Sequence, residues 1–251
     1  TTKCLAYLLD AQVGNFFIKK NKNNLFSELI DNLPKKQIKI AWLGNFNGSY
    51  LYENEIKEIC ENFLKKLESH KFKIEDLPLK FNSQIIWESW INLRSLSLKN
   101  DLYEIFRDKN KVNFLKPEII WEIERALTLS NANYEQAIYK RTKWKKYTDL
   151  LFERFDFLAL PSTQVFPFLE KVKYPIEING KNLDTYHRWM EVVVPASLIG
   201  LPTISIPCGF NTKGLPIGIQ IVGKYANDKE VLCTSNLIEK NKIKYRNKYF
   251  N

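Results

Sequence analysis

The chain has 251 residues, 45% of them hydrophobic and 14% aromatic, a composition that suits one large folded domain or two small ones and excludes a disordered chain. Its 38 Lys and Arg against 28 Asp and Glu give a formal net charge of +10. The basic residues are scattered in pairs such as Lys19-Lys20, Lys35-Lys36, Lys65-Lys66 and Lys145-Lys146, the pattern of a solvated surface and not of the one-sided basic face of a nucleic-acid binder.

No run approaches the roughly 18 consecutive apolar residues of a membrane span, and Thr1-Thr2-Lys3 opens no secretory signal, so a cytoplasmic location is expected. Cys4, Cys60, Cys208 and Cys233 are far apart and form no C-x-x-C pair, which predicts buried, reduced thiols and neither a zinc site nor a redox pair. With only His70 and His187 available, no metal site and no cofactor is expected. The chain opens at Thr1 and its one methionine is Met190, so a piece of a longer protein is the expectation.

In chain order, Leu5, Leu8 and Leu9 predict a helix over Thr1–Gly14, with Gly14 at its end and a hydrophilic link behind it. Ile38–Leu43 alternates and then turns apolar, a strand leading into the turn 44–49. A helix over about 54–69 carries Ile56, Ile59, Phe63, Leu64 and Leu67 on one stripe. Phe72–Glu75 alternates again, so Ile38–Glu75 reads as a β-α-β unit with parallel strands. Residues 84–153 read as mostly helical, including the basic run Lys140–Lys146 around Trp144, taken as an amphipathic helix with a wet face.

Beyond 155 prolines and glycines punctuate short apolar runs. Phe157–Leu160 is a buried strand, and Glu191–Ala196 continues a helix toward Gly200, which suits a left-handed end. Thr203–Pro207 and Ile217–Val222 form an antiparallel hairpin, and a closing helix over Asp228–Lys240 begins at an Asp suited to cap it. The architecture predicted is α/β: a mixed, mostly parallel sheet wrapped by helices.

Familiar catalytic arrangements are missing. There is no G-x-S-x-G elbow, and after Gly209 and Gly214 the residues Leu215 and Pro216 stand where a phosphate loop needs Lys and Ser or Thr. His187, in the cluster Asp184–Trp189, is a candidate base without an identifiable nucleophile, and is read as a helix-start or interface residue. Cys208 is read as a packed thiol. Glu122 and Glu124, two apart on a helix, do not face each other.

Four blocks carry a resemblance: Phe155-Asp-Phe-Leu-Ala-Leu-Pro-Ser-Thr163, Val194-Pro-Ala-Ser-Leu-Ile-Gly-Leu-Pro202, Ile204-Ser-Ile-Pro-Cys-Gly209 and Gly214-Leu-Pro-Ile-Gly-Ile-Gln-Ile-Val-Gly223. In this order they resemble the C-terminal blocks of amidase-signature proteins. More weakly, Thr1–Gly14 resembles the helix that follows that family's signature segment, and Ile38–Glu75 the β-α-β unit after it. Residues 1–251 would then be a partial amidase domain: a helix plus β-α-β over 1–80, a helical cover over 84–153, and the sheet blocks with hairpin and closing helix over 155–251.

The resemblance implies hydrolysis of amides by a serine, serine and lysine triad with an oxyanion-binding Gly/Ser-rich loop. Those elements precede the helix that Thr1–Gly14 resembles, and no Gly/Ser-rich segment occurs here, so no catalytic residue is carried over and the chain alone is expected to be inactive. Its implied partners are a small-molecule amide substrate and the missing N-terminal half, and a homodimer stays open. Ser162, Ser197 and Ser205 are read as loop and packing serines, although Ser162, Thr163 and Gln164, beyond a strand end, are also substrate-pocket candidates with Trp189 and Met190. The A-type subunits of glutamyl- or aspartyl-tRNA amidotransferases typically carry an acidic residue five positions before the Pro-Ala block; that position is Met190, which favours a general amidase over an amidotransferase component. A basic, non-catalytic nucleic-acid-binding module is the alternative of another class. Without the neighbouring half, apolar faces of sheet and helix are expected to be left wet, at a cost of several kcal/mol at about 25 cal/mol per Å².

Overall fold

The computed structural model describes residues 1–20, 25–32 and 36–241, with the side chains of 14–20 outside the description. The side chains of Lys19 and Lys20, and the whole of Lys35, therefore lie outside the description. Strands β1 (Ile38–Trp42), β2 (Phe72–Asp76), β3 (Phe157–Pro161), β6 (Thr203–Phe210) and β7 (Pro216–Gly223) form one sheet in the order β2-β1-β3-β7-β6. β1 pairs in parallel with β2 and β3, and β7 pairs antiparallel with β3 and β6. Only β7 thus opposes the other four strands, so the sheet is mixed and mostly parallel. A separate ribbon joins β4 (Glu177–Ile178) to β5 (Lys181–Asn182).

Period-2 alternation distributes the strand side chains between two cores. Ile38, Ile40, Trp42, Phe157, Ala159, Ile219 and Ile221 meet α3 (Ile56–Leu67) and α8 (Asp228–Lys240). Ala41, Leu43, Leu158, Leu160 and Val222 meet α4 (Ser83–Arg107), α6 (Asn131–Leu151) and α7 (Val194–Ser197) on the other face. On α3 the buried residues Ile56, Cys60, Phe63, Leu64 and Leu67 fall on one stripe, as the pattern predicts. α4 packs on α6 and on α5 (Pro117–Leu127), forming the helical cover. Within α6, Trp144 is buried while Lys143, Lys145 and Lys146 face water, which is the expected wet face.

Three local expectations change. The first helix, α1, runs over Thr2–Lys20 and does not stop at Gly14; a glycine costs a helix only about 1 kcal/mol and no proline follows closely. It packs beside α2 (Phe26–Leu29) and α8. α8 begins as predicted at Asp228, but the N-cap position is Asn227, which makes no side-chain cap; Asp228 and Glu230 sit in the first turn, where they complement the helix dipole. Cys60, Cys208 and Cys233 are buried, whereas Cys4 is exposed, on the outer side of the first turn of α1. Gly200 does adopt the left-handed conformation, with φ +66°.

Candidate substrate-binding face

Ligand crevices in open α/β sheets lie beyond the carboxyl ends of parallel strands. Here β3 ends at Pro161, and Ser162 keeps its pairing by donating its N–H to Gly218 O at 2.9 Å. Ser162 Oγ and Ser205 Oγ lie 2.6 Å apart over Gly218. A Cβ on residue 218 would come within 2.8 Å of Ser205 Oγ and 3.2 Å of Ile206 O, so only glycine lets the two hydroxyls meet there. Ser205 and Gly218 line a cavity of about 440 Å³ whose other walls include Thr163, Phe166, Phe168 and Trp189. Phe168 and Trp189 meet edge to face, with centroids 5.6 Å apart. None of the lining residues is titratable.

A second cavity, of about 580 Å³, lies on the far side of Trp189, which lines both. Met190 lines this one, together with Arg94, Lys116, Lys173 and Tyr186. Of the residues expected from the sequence, Thr163 and Trp189 line the first cavity, Trp189 and Met190 the second, and Ser162 is bonded to a lining residue. Gln164 is placed differently. It is buried; its amide N–H donates to Leu51 O at 2.9 Å and its Oε1 accepts from Val192 N at 3.1 Å. Gln220 likewise donates to Pro161 O and Val192 O. Gln220, on β7, thus ties Val192 to the sheet, and Gln164 ties it to the loop that carries Leu51, which together hold the chain near Trp189.

Behind the second cavity lies a polar cluster that the sequence reading missed. Glu122 is fully buried, and its Oε1 lies 2.7 Å from His187 Nε2 and 2.8 Å from Arg94 Nε. Ser95 Oγ donates to Oε2 and the Tyr186 hydroxyl to Oε1. Burial alone would raise the Glu122 carboxyl; the bonds from His187, Ser95 and Arg94 outweigh it and hold the carboxyl below its ordinary value. The His187 ring sits among Trp87, Trp90, Trp121 and Tyr186, and no serine or cysteine is bonded to it. It is thus an anchor in a buried network and has no nucleophile to activate. The signal was present in the sequence: Ile119, Glu122, Ile123 and Ala126 are spaced i, i+3, i+4, i+7, which puts a carboxylate on the apolar stripe of α5.

The sequence profile of the family described as Amidase matches residues 7–232. The chain belongs to the amidase family. It is 36% identical over 129 residues to the A component of the glutamyl-tRNA(Gln) amidotransferase of Prochlorococcus marinus (strain AS9601), covering 47% of this chain and 25% of that protein. To the A component of the same enzyme from Natranaerobius thermophilus it is 33% identical over 213 residues, covering 75% and 41% respectively. Its fold is similar to that of a bacterial aryl acylamidase of the amidase-signature enzymes, with a TM-score of 0.72 at 19% identity, covering 86% of this chain and 46% of that one. The chain therefore spans less than half the length of each of these three proteins.

Among the described residues of this chain, no three His, Cys, Asp or Glu side chains gather as a metal site, and no helix is long and apolar enough to cross a membrane. Cys60 and Cys208 face each other at 3.6 Å, and that contact together with burial pushes the Cys60 thiol far up, leaving it inert.

One buried carboxyl, next in sequence to the cavity residue Met190, is expected to respond to pH. Glu191 is buried beside Arg188, whose guanidinium stacks 3.8 Å from the Trp87 ring centre and also holds Asp184. Burial pushes the Glu191 carboxyl from 4.5 up to about 7, against the opposing pull of Arg188. Between those two values the folded chain holds a proton that the unfolded chain has released, so stability falls as pH rises through the window and is level above it. The expected fall is on the order of 3 kcal/mol. Glu191→Gln should abolish this slope in denaturation midpoints taken across pH 4.5 to 7; an unchanged slope would assign it to another group.

Proposed function

We propose that this chain is the substrate-recognising C-terminal half of an amidase that hydrolyses a carboxamide C–N bond to an acid and ammonia or an amine. The observation that carries this reading is the cavity beyond β3, lined by hydroxyl and apolar groups with no titratable residue, in a chain matched by the amidase family over residues 7–232. Such a cavity can seat an amide but cannot activate a nucleophile. The serine, serine and lysine machinery is therefore supplied by polypeptide upstream of this chain. That polypeptide packs where β6 is open: β6 is the sheet edge, and its residues Thr203, Ser205 and Pro207 are exposed on the face that α4, α6 and α7 leave uncovered.

The test is ammonia release from simple amides by the chain alone and after addition of the polypeptide encoded in frame upstream of it. No turnover is expected alone, with turnover appearing on addition. Serine-dependent hydrolysis by the chain by itself would overturn the reading.

The names of the relatives favour a second reading, the A-type subunit of a glutamyl- or aspartyl-tRNA amidotransferase. Against it stands Met190, five positions before Pro195, where a thioether offers nothing to a substrate ammonium. In the reconstituted assay, glutamine hydrolysis dependent on charged tRNA would select the amidotransferase reading, and tRNA-independent hydrolysis of simple amides the general amidase.

A further inference from the structure

The second cavity has a charge balance unlike the first. Arg94, Lys116 and Lys173 line it against one carboxylate, Glu118. The network behind it does not cancel the excess. Glu122 neutralises Arg94, while Arg125 bonds only neutral acceptors, Ile91 O, Ser95 Oγ and Asn92 Oδ1. Counting these groups together gives four cations, Arg94, Arg125, Lys116 and Lys173, against two anions, Glu118 and Glu122, a surplus of 4 − 2 = +2.

Arg94 is also held in advance of any ligand. Its Nε donates to Glu122 Oε1 at 2.8 Å, and its guanidinium lies 5.5 Å from the Trp90 ring centre. A guanidinium already ordered by its own protein loses little freedom when it binds, and a planar fork suits a carboxylate. The first turn of α5 forms one wall and adds the positive end of its dipole. Of the remaining lining, Pro117, Ile119 and Met190 are apolar, while Tyr174, Tyr186 and Trp189 present aromatic rings with a polar edge.

We propose that this cavity is a recognition site for a carboxylate carried on an apolar stem, with Arg94 as the fixed partner and Lys116 and Lys173 as the rim charges. Because Trp189 lines both cavities, the site gives the proposed amidase a substrate class: an amide seated beyond β3 whose far end is an anionic group passing Trp189. This role in substrate choice rests on the amidase reading; the binding of a carboxylate does not.

The experiment titrates the chain with hexanoate and with hexanamide, its neutral counterpart, following tryptophan fluorescence. Hexanoate should give a saturable change that weakens as salt is added, and hexanamide a much weaker one. Lys116→Met combined with Lys173→Met, both at exposed positions, should fold normally and weaken hexanoate by about tenfold. Arg94→Lys keeps the charge and loses the fork, and should weaken hexanoate further than the rim variant does. Equal binding of hexanoate and hexanamide, or a rim variant that binds hexanoate as the parent does, would overturn the proposal. In the reconstituted enzyme, turnover indifferent to a carboxylate on the amide would sink the site and leave the amidase reading standing. Hexanoate binding with no turnover on any amide would do the reverse.

Discussion

Glu122→Ala is expected to destabilise the chain by about 3 kcal/mol, because it leaves the buried His187 ring and the Ser95 hydroxyl without their acceptor, while Arg94, 36% exposed, regains part of its loss from water. The loss is not that of one ion pair. Ser95 and Tyr186 also give their hydroxyl protons to this carboxylate, so four side chains lose their common acceptor at once. Glu122→Gln keeps an acceptor for the hydroxyls and should cost less. The pH dependence separates charge from shape. A carboxyl held below its ordinary value contributes stability that is fully present above the unfolded value of 4.5 and is lost as pH falls through the folded one. Urea midpoints of parent and Gln variant should therefore differ most at neutral pH and converge in acid. A constant difference at every pH would show that the charge on Glu122 contributes nothing.

Trp144→Ala should cost a similar amount, about 3–5 kcal/mol, for a different reason. Trp144 is 1% exposed, packs against Phe46, Phe81 and Tyr147, and donates its indole N–H to Pro195 O at 2.7 Å. Truncation opens a large void between α6 and α7 and leaves the Pro195 carbonyl without that donor. For a chain of this size the melting midpoint should drop on the order of 10 °C. Trp144→Phe fills most of the space and loses the hydrogen bond alone, about 1–3 kcal/mol. A thermal melt that ranks Phe with Ala would make the hydrogen bond the dominant contribution; one that ranks Phe with the parent would make it packing.

These two effects arise in the helical cover, although the cavities open at the strand ends. Pro195 stands next to the segment that Gln164 and Gln220 hold at Val192, and that segment carries Trp189.

The sequence by itself determined the sheet and its helices. Alternation along Ile38–Trp42 and Phe157–Leu160 and the stripe on α3 are local patterns, and burial on one side or the other is enough to produce them. It also determined the family, because the ordered blocks from Phe155 to Gly223 are a property of the chain and need no contact to be recognised. Only the tertiary structure decided which polar groups meet. Arg94, Glu122 and His187 are brought within 3.1 Å of one another by the packing of α4 on α5 and by the path of the 184–190 segment over both. The position of Glu122 on an apolar stripe announced a buried charge without naming its partners. Likewise Gln164 follows two cavity candidates in the sequence, yet its amide is taken up by the backbone of Leu51 and Val192. Periodicity records which side of an element faces inward; what a side chain finds there depends on elements distant in the chain, and no local pattern encodes that.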